Sequence, residues 1–148
     1  ATDWMMNDPF EAMRNALNAI RLKQGKHTAY TSTEALFGST TNSAKVLGLE
    51  GSIGKVQEGF KADLIQIDIN QPHLVPFYAE YASIAYYARA SDVVTSIING
   101  KIVMKDRVVI GIDETKALEA VAKHIPTLSD KMLKLGGAVH PGLCPCGF

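Results

Sequence analysis

Residues 40–68 read TTNSAKVLGLEGSIGKVQEGFKADLIQID, and the texture of the chain changes inside this stretch. Up to Gly48 the spacing is helical. Ala44 and Leu47 continue an apolar surface begun by Ala35 and Leu36, and Gly48 ends it. Gly51, Gly54 and Gly59 then fall within nine positions, which is incompatible with a continued helix. From Ala62 to Ile69 the pattern turns to that of a strand. Leu64, Ile65, Ile67 and Ile69 are apolar, with Asp63, Gln66 and Asp68 between them. A seam is expected near Gly48–Gly54, with helices before it and strands after.

Downstream, QPHLVPF is a proline-bounded loop and YAEYASIAYYARA a short helix with a tyrosine-rich face. DVVTSIINGKIVMKDRVVI then reads as a hairpin. Two β-branched runs flank Asn99-Gly100, a pair suited to the positive φ angles of a type I′ turn. Asp106-Arg107 makes a second, weaker turn into Val108–Ile110. DETKALEAVAKHIPTLSDKMLKLGG is an amphipathic helix in which Pro126 predicts a kink or a division into two helices.

Upstream, NDPFEAMRNALNAIRLKQGK is the clearest helix. Asp8 is a good N-cap, Pro9 suits the first helical position, and Glu11 stands three residues after the cap. Met13, Ala16, Leu17 and Ile20 share one face, Gly25 stops the helix, and Lys23 suits its C-terminal end. In TSTEALFGSTTNSAKVLG, Thr31 and Glu34 form a capping box, and Gly38 with the following Ser-Thr-Thr run predicts a break. Before Asp8, Ala1–Asp3 look like the end of a strand, so the first residues suggest a chain cut from something larger. No internal repeat or low-complexity segment is visible.

The 148 residues suit one ordinary domain and can bury roughly 68–70% of their unfolded surface. Fifteen basic and fifteen acidic residues cancel, and no basic stripe stands out, so nucleic acid and anionic membrane are poor partners. No apolar run approaches the roughly 20 residues that span a bilayer, and the first residues lack the pattern of a signal peptide. A cytoplasmic protein is expected. Cys144 and Cys146 lie in the tail HPGLCPCGF beside His140. A disulfide across one proline would be strained, which leaves a partial metal site or a loose or docked tail with reduced thiols.

Three stretches together resemble the amidohydrolase superfamily of metal-dependent hydrolases. ATD before a capped helix resembles the eighth strand and loop of its barrels. TTNSAKVLGLEGSIGKVQEGFKADLIQID resembles the link from barrel to β-sandwich, with its Asn-x-Ala-x-x-Leu-Gly and Lys-Ala-Asp-Leu elements. DVVTSIINGKIVMKD resembles the hairpin that follows. The nearest branch is that of the cytosine, triazine and S-adenosylhomocysteine deaminase-like enzymes. The implied fold class is α/β and β: the last strand–helix units of a TIM-like (β/α)8 barrel (1–50), the C-terminal part of a small composite β-sandwich (51–112), and a closing helix with its tail (113–148).

The resemblance implies a hydrolase of carbon–nitrogen bonds other than peptide bonds, with a divalent metal, commonly zinc, at the barrel mouth. The implied ligands are a His-x-His pair, further histidines and the Asp of the eighth strand, which corresponds to Asp3. Barrel sites lie at the C-terminal ends of strands, where Asp3 is expected. A metal there brings the pKa of its water toward about 7, and a carboxylate beside it can take that proton and return it to the leaving nitrogen. Trp4, Met5, Met6 and Asn7 would form a loop beside a small-molecule substrate.

The plainer alternatives are also specific. Asp3 could be a solvated terminal residue, and Asp8 is better explained as a cap than as a ligand. Trp4 and the methionines could be barrel-mouth packing. His27, His73 and His124 read as structural or surface residues, Asp63 as a turn or strand-start residue, and Tyr78, Tyr81, Tyr86 and Tyr87 as helix-face packing. There is no His-x-His in the chain, and a catalytic zinc takes about three protein ligands. One strand also cannot close a barrel. The chain alone is therefore expected to be inactive and to hold no stoichiometric metal. Its exposed apolar faces call for the remaining barrel portion or a second copy of the chain. The alternative is a non-catalytic assembly or binding module derived from such an enzyme.

Overall fold

The computed structural model describes residues 7–134, with side chains through residue 127. The chain divides into two units, residues 1–110 and 111–148. Within the first, α1 (Pro9–Gln24), α2 (Ser32–Ser39) and α3 (Thr41–Val46) come before β1 (Leu64–Ile67). Then follow α4 (Glu80–Tyr87), a 3-10 turn (Ala90–Asp92), β2 (Val93–Ile98), β3 (Lys101–Lys105) and β4 (Val108–Val109). The strands form one antiparallel sheet in the order β1-β2-β3-β4.

The helices start where local chemistry dictates. The Asp8 side chain accepts from the amides of Phe10 and Glu11, and Gly25 closes α1 in the left-handed region. Thr31 and Glu34 make the reciprocal capping box of α2. The expected break falls at Thr40, whose φ of −123° and ψ of −91° separate α2 from α3. Apolar residues of α1 (Phe10, Met13, Leu17) meet Ala35 of α2 and Ala85 of α4 in one core, which Leu74, Ala88 and Val93 complete. Leu17 is fully buried. Two expectations fail here. Leu47 is 67% exposed, because α3 ends at Val46 and turns it away from the core. Of the tyrosines, Tyr78 and Tyr87 are largely exposed. Tyr81 stands edge-on to Phe37, and Tyr86 packs against the core with its hydroxyl accepting from Arg21 at 2.6 Å, so these two do serve as helix-face packing.

The sheet follows the alternating pattern with one shortening. β1 covers four residues rather than the eight of the apolar alternation, with Leu64 opposite Ile97 and Ile67 opposite Val93. Backbone bonds extend the pairing at both ends, from Gly100 N–H to Ala62 O and from Asp68 N–H to Asp92 O. β2 and β3 meet through Asn99 and Gly100 at φ 49° and 77°, as a type I′ turn requires. Asp106 and Arg107 also take positive φ at the next turn.

In the second unit, α5 (Glu114–Lys134) is one helix through Pro126, so the expected division into two does not occur. The proline withdraws one N–H from the ladder, and helical turns on either side keep their own bonds. Asp113 caps it through the amide of Lys116. Leu118, Val121 and Ile125 on this helix are exposed.

Candidate functional site

Asp3, Trp4, Met5 and Met6 lie outside the described residues, as do His140, Cys144 and Cys146. Asn7, the last member of the expected substrate loop, is exposed and leads directly into the cap of α1. The first described residues after Met6 are Asn7, Asp8 and the N-terminal end of α1.

That end is tied to the sheet. Asp8 divides its two oxygens. Oδ1 accepts from Phe10 N–H at 2.8 Å and Glu11 N–H at 3.4 Å, while Oδ2 accepts from Ala90 N–H at 3.1 Å. Two turns along the helix, Arg14 Nη1 donates to Ala88 O at 2.7 Å. Both contacts land on the short run that enters β2. The other side of this run is held by Asp92, 3% exposed, whose Oδ2 accepts from Arg89 N–H at 2.8 Å and stands 2.8 Å from His73 Nε2. A buried carboxylate needs such partners, because leaving it unpaired would cost several kcal/mol, on the order of 3–5. An apolar cavity of about 340 Å³ lies beside these contacts, lined among others by Phe10, Met13, Ala90, Val93 and Met104.

The remaining candidates take structural positions. His73 is paired with Asp92, and His27 and His124 are exposed. Asp63 accepts from Asn99 N–H and so pins the β2–β3 turn beside the start of β1, as a strand-start residue would. Three carboxyls are held below the ordinary carboxylate range by hydrogen bonds. Glu34 is lowered by the amide and hydroxyl of Thr31, and Asp68 by Asn70 N–H, then Gln71 and Arg107. Asp113 is lowered by Lys116. All three serve caps and turns.

Among the described residues, no group of three or more His, Cys, Asp or Glu side chains is placed to hold a metal ion. A catalytic zinc takes about three protein ligands. The described residues thus do not fit a metal by themselves. Also among them, no helix is long and apolar enough to cross a membrane.

The contacts of Asp8 and Arg14 with residues 88–90 were not foreseeable from local pattern, because their partners lie 82 and 74 positions away. The cap function of Asp8 uses one oxygen and was legible; the second oxygen gave no local signal.

Comparison with known proteins matches this architecture. The 5-methylthioadenosine/S-adenosylhomocysteine deaminase 1 of Syntrophus aciditrophicus is 36% identical over 116 residues, 78% of this chain and 26% of that protein. The 5'-deoxyadenosine deaminase of Methanosarcina barkeri is 39% identical over the same length, again 78% of this chain and 26% of that protein. An adenosine deaminase from Xanthomonas campestris, solved with bound zinc, superposes with a TM-score of 0.74 at 28% identity. That superposition covers 78% of this chain and 26% of the other. The chain thus spans about a quarter of the length of the curated relatives it matches. The sequence profile of the Amidohydrolase family matches residues 1–103. With that match over most of its length, this chain belongs to the amidohydrolase family.

Proposed function

We propose that these residues are the C-terminal part of a metal-dependent amidohydrolase that deaminates a small amino-substituted heterocycle. Residues 1–50 supply the end of the barrel, 51–112 part of a composite β-sandwich, and 113–148 a closing helical segment. The observation that carries the reading is the family match over residues 1–103, which includes Asp3 just ahead of the capped helix. Its relatives named as deaminases of S-adenosylhomocysteine and 5'-deoxyadenosine make a 6-aminopurine nucleoside the first substrate class to test.

In this proposal Asp3 is a metal ligand, and the other ligands come from the rest of the protein. Zinc held by Asp3 together with residues from the rest of the protein would supply a water acidic enough to react near neutral pH. Asp3 would take a proton from that water and return it to the departing amino nitrogen, so that ammonia leaves and a carbonyl remains. Trp4, Met5 and Asn7 border the substrate. The test is ammonia release by the complete protein from adenosine, 5'-deoxyadenosine and S-adenosylhomocysteine, compared with its Asp3→Ala variant. Turnover in the first and none in the second is expected. Undiminished turnover by Asp3→Ala would overturn the assignment.

A second reading is a non-catalytic assembly module. Exposed apolar side chains such as Ile65 and Ile102 on the sheet, a surface that a second copy could cover, favour it. It predicts a stable, metal-free dimer of the chain without any partner polypeptide. A monodisperse monomer by light scattering would count against it.

A further inference from the structure

Asn99-Gly100 is the one Asn-Gly pair in the chain, and both residues are exposed at the β2–β3 turn. Asparagine before glycine carries a reaction of its own. The Gly100 backbone nitrogen, once its proton is lost to base, is within ring-closing reach of the Asn99 side-chain carbon Cγ. Glycine has no Cβ to obstruct the approach. Attack forms a C–N bond and closes a succinimide, and ammonia leaves from Cγ. Water then opens the ring at either carbonyl, giving aspartate or isoaspartate. In sum, asparagine and water become a carboxylate and ammonia. In this fold both turn amides are held by the two residues that lead into β1. Gly100 N–H donates to Ala62 O at 3.0 Å, and Asn99 N–H donates to the Asp63 carboxylate. The attacking nitrogen is thus occupied, and Asn99 is fixed at φ 49°. Ring closure requires the turn to open locally first. Its products suit the turn less well than asparagine does. Aspartate at position 99 places a second carboxylate beside Asp63. Isoaspartate adds a main-chain atom to a two-residue loop across which Ile98 pairs with Lys101, and so breaks the register of β2 with β3.

We propose that Asn99 is a hydrolytic modification site, held back by the seating of Ala62 and Asp63 against the turn, whose isoaspartyl product unpairs β3 from β2. It stands independently of the role of Asp3. The test incubates the full 148-residue chain in mildly alkaline buffer, both native and unfolded in guanidinium chloride. Peptide mapping by mass spectrometry follows the conversion. In the unfolded chain Asn99 should react before the five other asparagines. In the native chain its rate should be at least about 10-fold lower, because two hydrogen bonds must break first. Asp63→Ala should raise the native rate about 3- to 10-fold, whereas Asp63→Asn, which keeps an acceptor oxygen, should raise it less than about 3-fold. Hydrogen exchange at the Gly100 amide of the parent chain checks the same restraint without a substitution, and should be slowed at least about 10-fold relative to the unfolded chain. The isoaspartyl form, once isolated, should unfold at a lower urea concentration than the parent. Equal rates in the native and unfolded chains would overturn the proposal. So would an unprotected Gly100 amide, a folded Asp63→Ala variant reacting at the parent rate, or an isoaspartyl form with the parent's unfolding midpoint.

Discussion

Gly54 offers a sharp test of how the loop after the helices is packed. Its φ is +88°, and a Cβ built there would stand 2.9 Å from the Cβ of Ala44 and 3.1 Å from the carbonyl oxygen of Thr40. Carbon atoms in good contact lie about 3.5–4.0 Å apart, and neither neighbour is the end of a flexible side chain. Gly54→Ala therefore combines a left-handed backbone, unfavourable by about 1–2 kcal/mol, with overpacking that typically adds about 1–3 kcal/mol. The smaller entropy of the unfolded alanine chain returns about 0.4–1 kcal/mol, leaving a net loss of about 2–4 kcal/mol. Gly59 is the internal control. Its φ is +84°, but nothing lies within 4 Å of a Cβ there, so only the backbone effect, about 1 kcal/mol, remains. Urea unfolding followed by far-ultraviolet circular dichroism separates the two. With a slope of about 2 kcal/mol/M, the midpoint of Gly54→Ala should lie about 1 M below that of Gly59→Ala. Ala44→Gly in the Gly54→Ala background should recover part of the difference, because it removes the nearer obstacle. Equal midpoints for the two single variants would refute the close approach of the glycine loop to α3 and Thr40.

Other perturbations have equally definite outcomes. Leu17→Ala opens a cavity at a fully buried position and should lower stability by about 2–5 kcal/mol in the same unfolding assay. Asp92→Ala leaves the Arg89 amide and His73 without their shared acceptor and should cost about 1–3 kcal/mol, whereas His73→Gln, which can still donate, should cost less. Hydrogen bonds lower Glu34 and Asp68 in the folded state, so what they add to stability is present above about pH 4 and is lost as pH falls through their lowered midpoints. Carboxyl titration by NMR should place both midpoints below the ordinary Glu and Asp values, and midpoints at or above those values would contradict the hydrogen bonding described. The purified 148-residue chain should carry well under one zinc per molecule by elemental analysis.

Local chemistry was readable wherever a few neighbouring residues decide the outcome. Asp8 and Pro9 start α1, Thr31 and Glu34 box the start of α2, and Asn99-Gly100 turns the hairpin. Each of these is a contest settled within one turn of chain. The break at Thr40 was legible for the same reason. Burial on α3 and α4 was not. Leu47 and Tyr87 have the right polarity for a core, but the elements end or rotate so that both face outward. Of the two outcomes expected at Pro126, a kink or a division, the division does not occur, since one missing amide does not end a helix of 21 residues. The polar ties between α1 and the run that enters β2 depend on pairings across 19, 74 and 82 positions, which no window of sequence displays. Asp3 itself was reached by family resemblance, and it lies outside the described residues.

The most direct measurement is anomalous scattering at the zinc edge from crystals of the complete protein. We expect a carboxylate oxygen of Asp3 about 2.0–2.2 Å from the metal, with the other protein ligands contributed by residues of the complete protein outside this chain. A zinc ion bound elsewhere, with the Asp3 carboxylate well beyond coordinating distance, would contradict the proposed site.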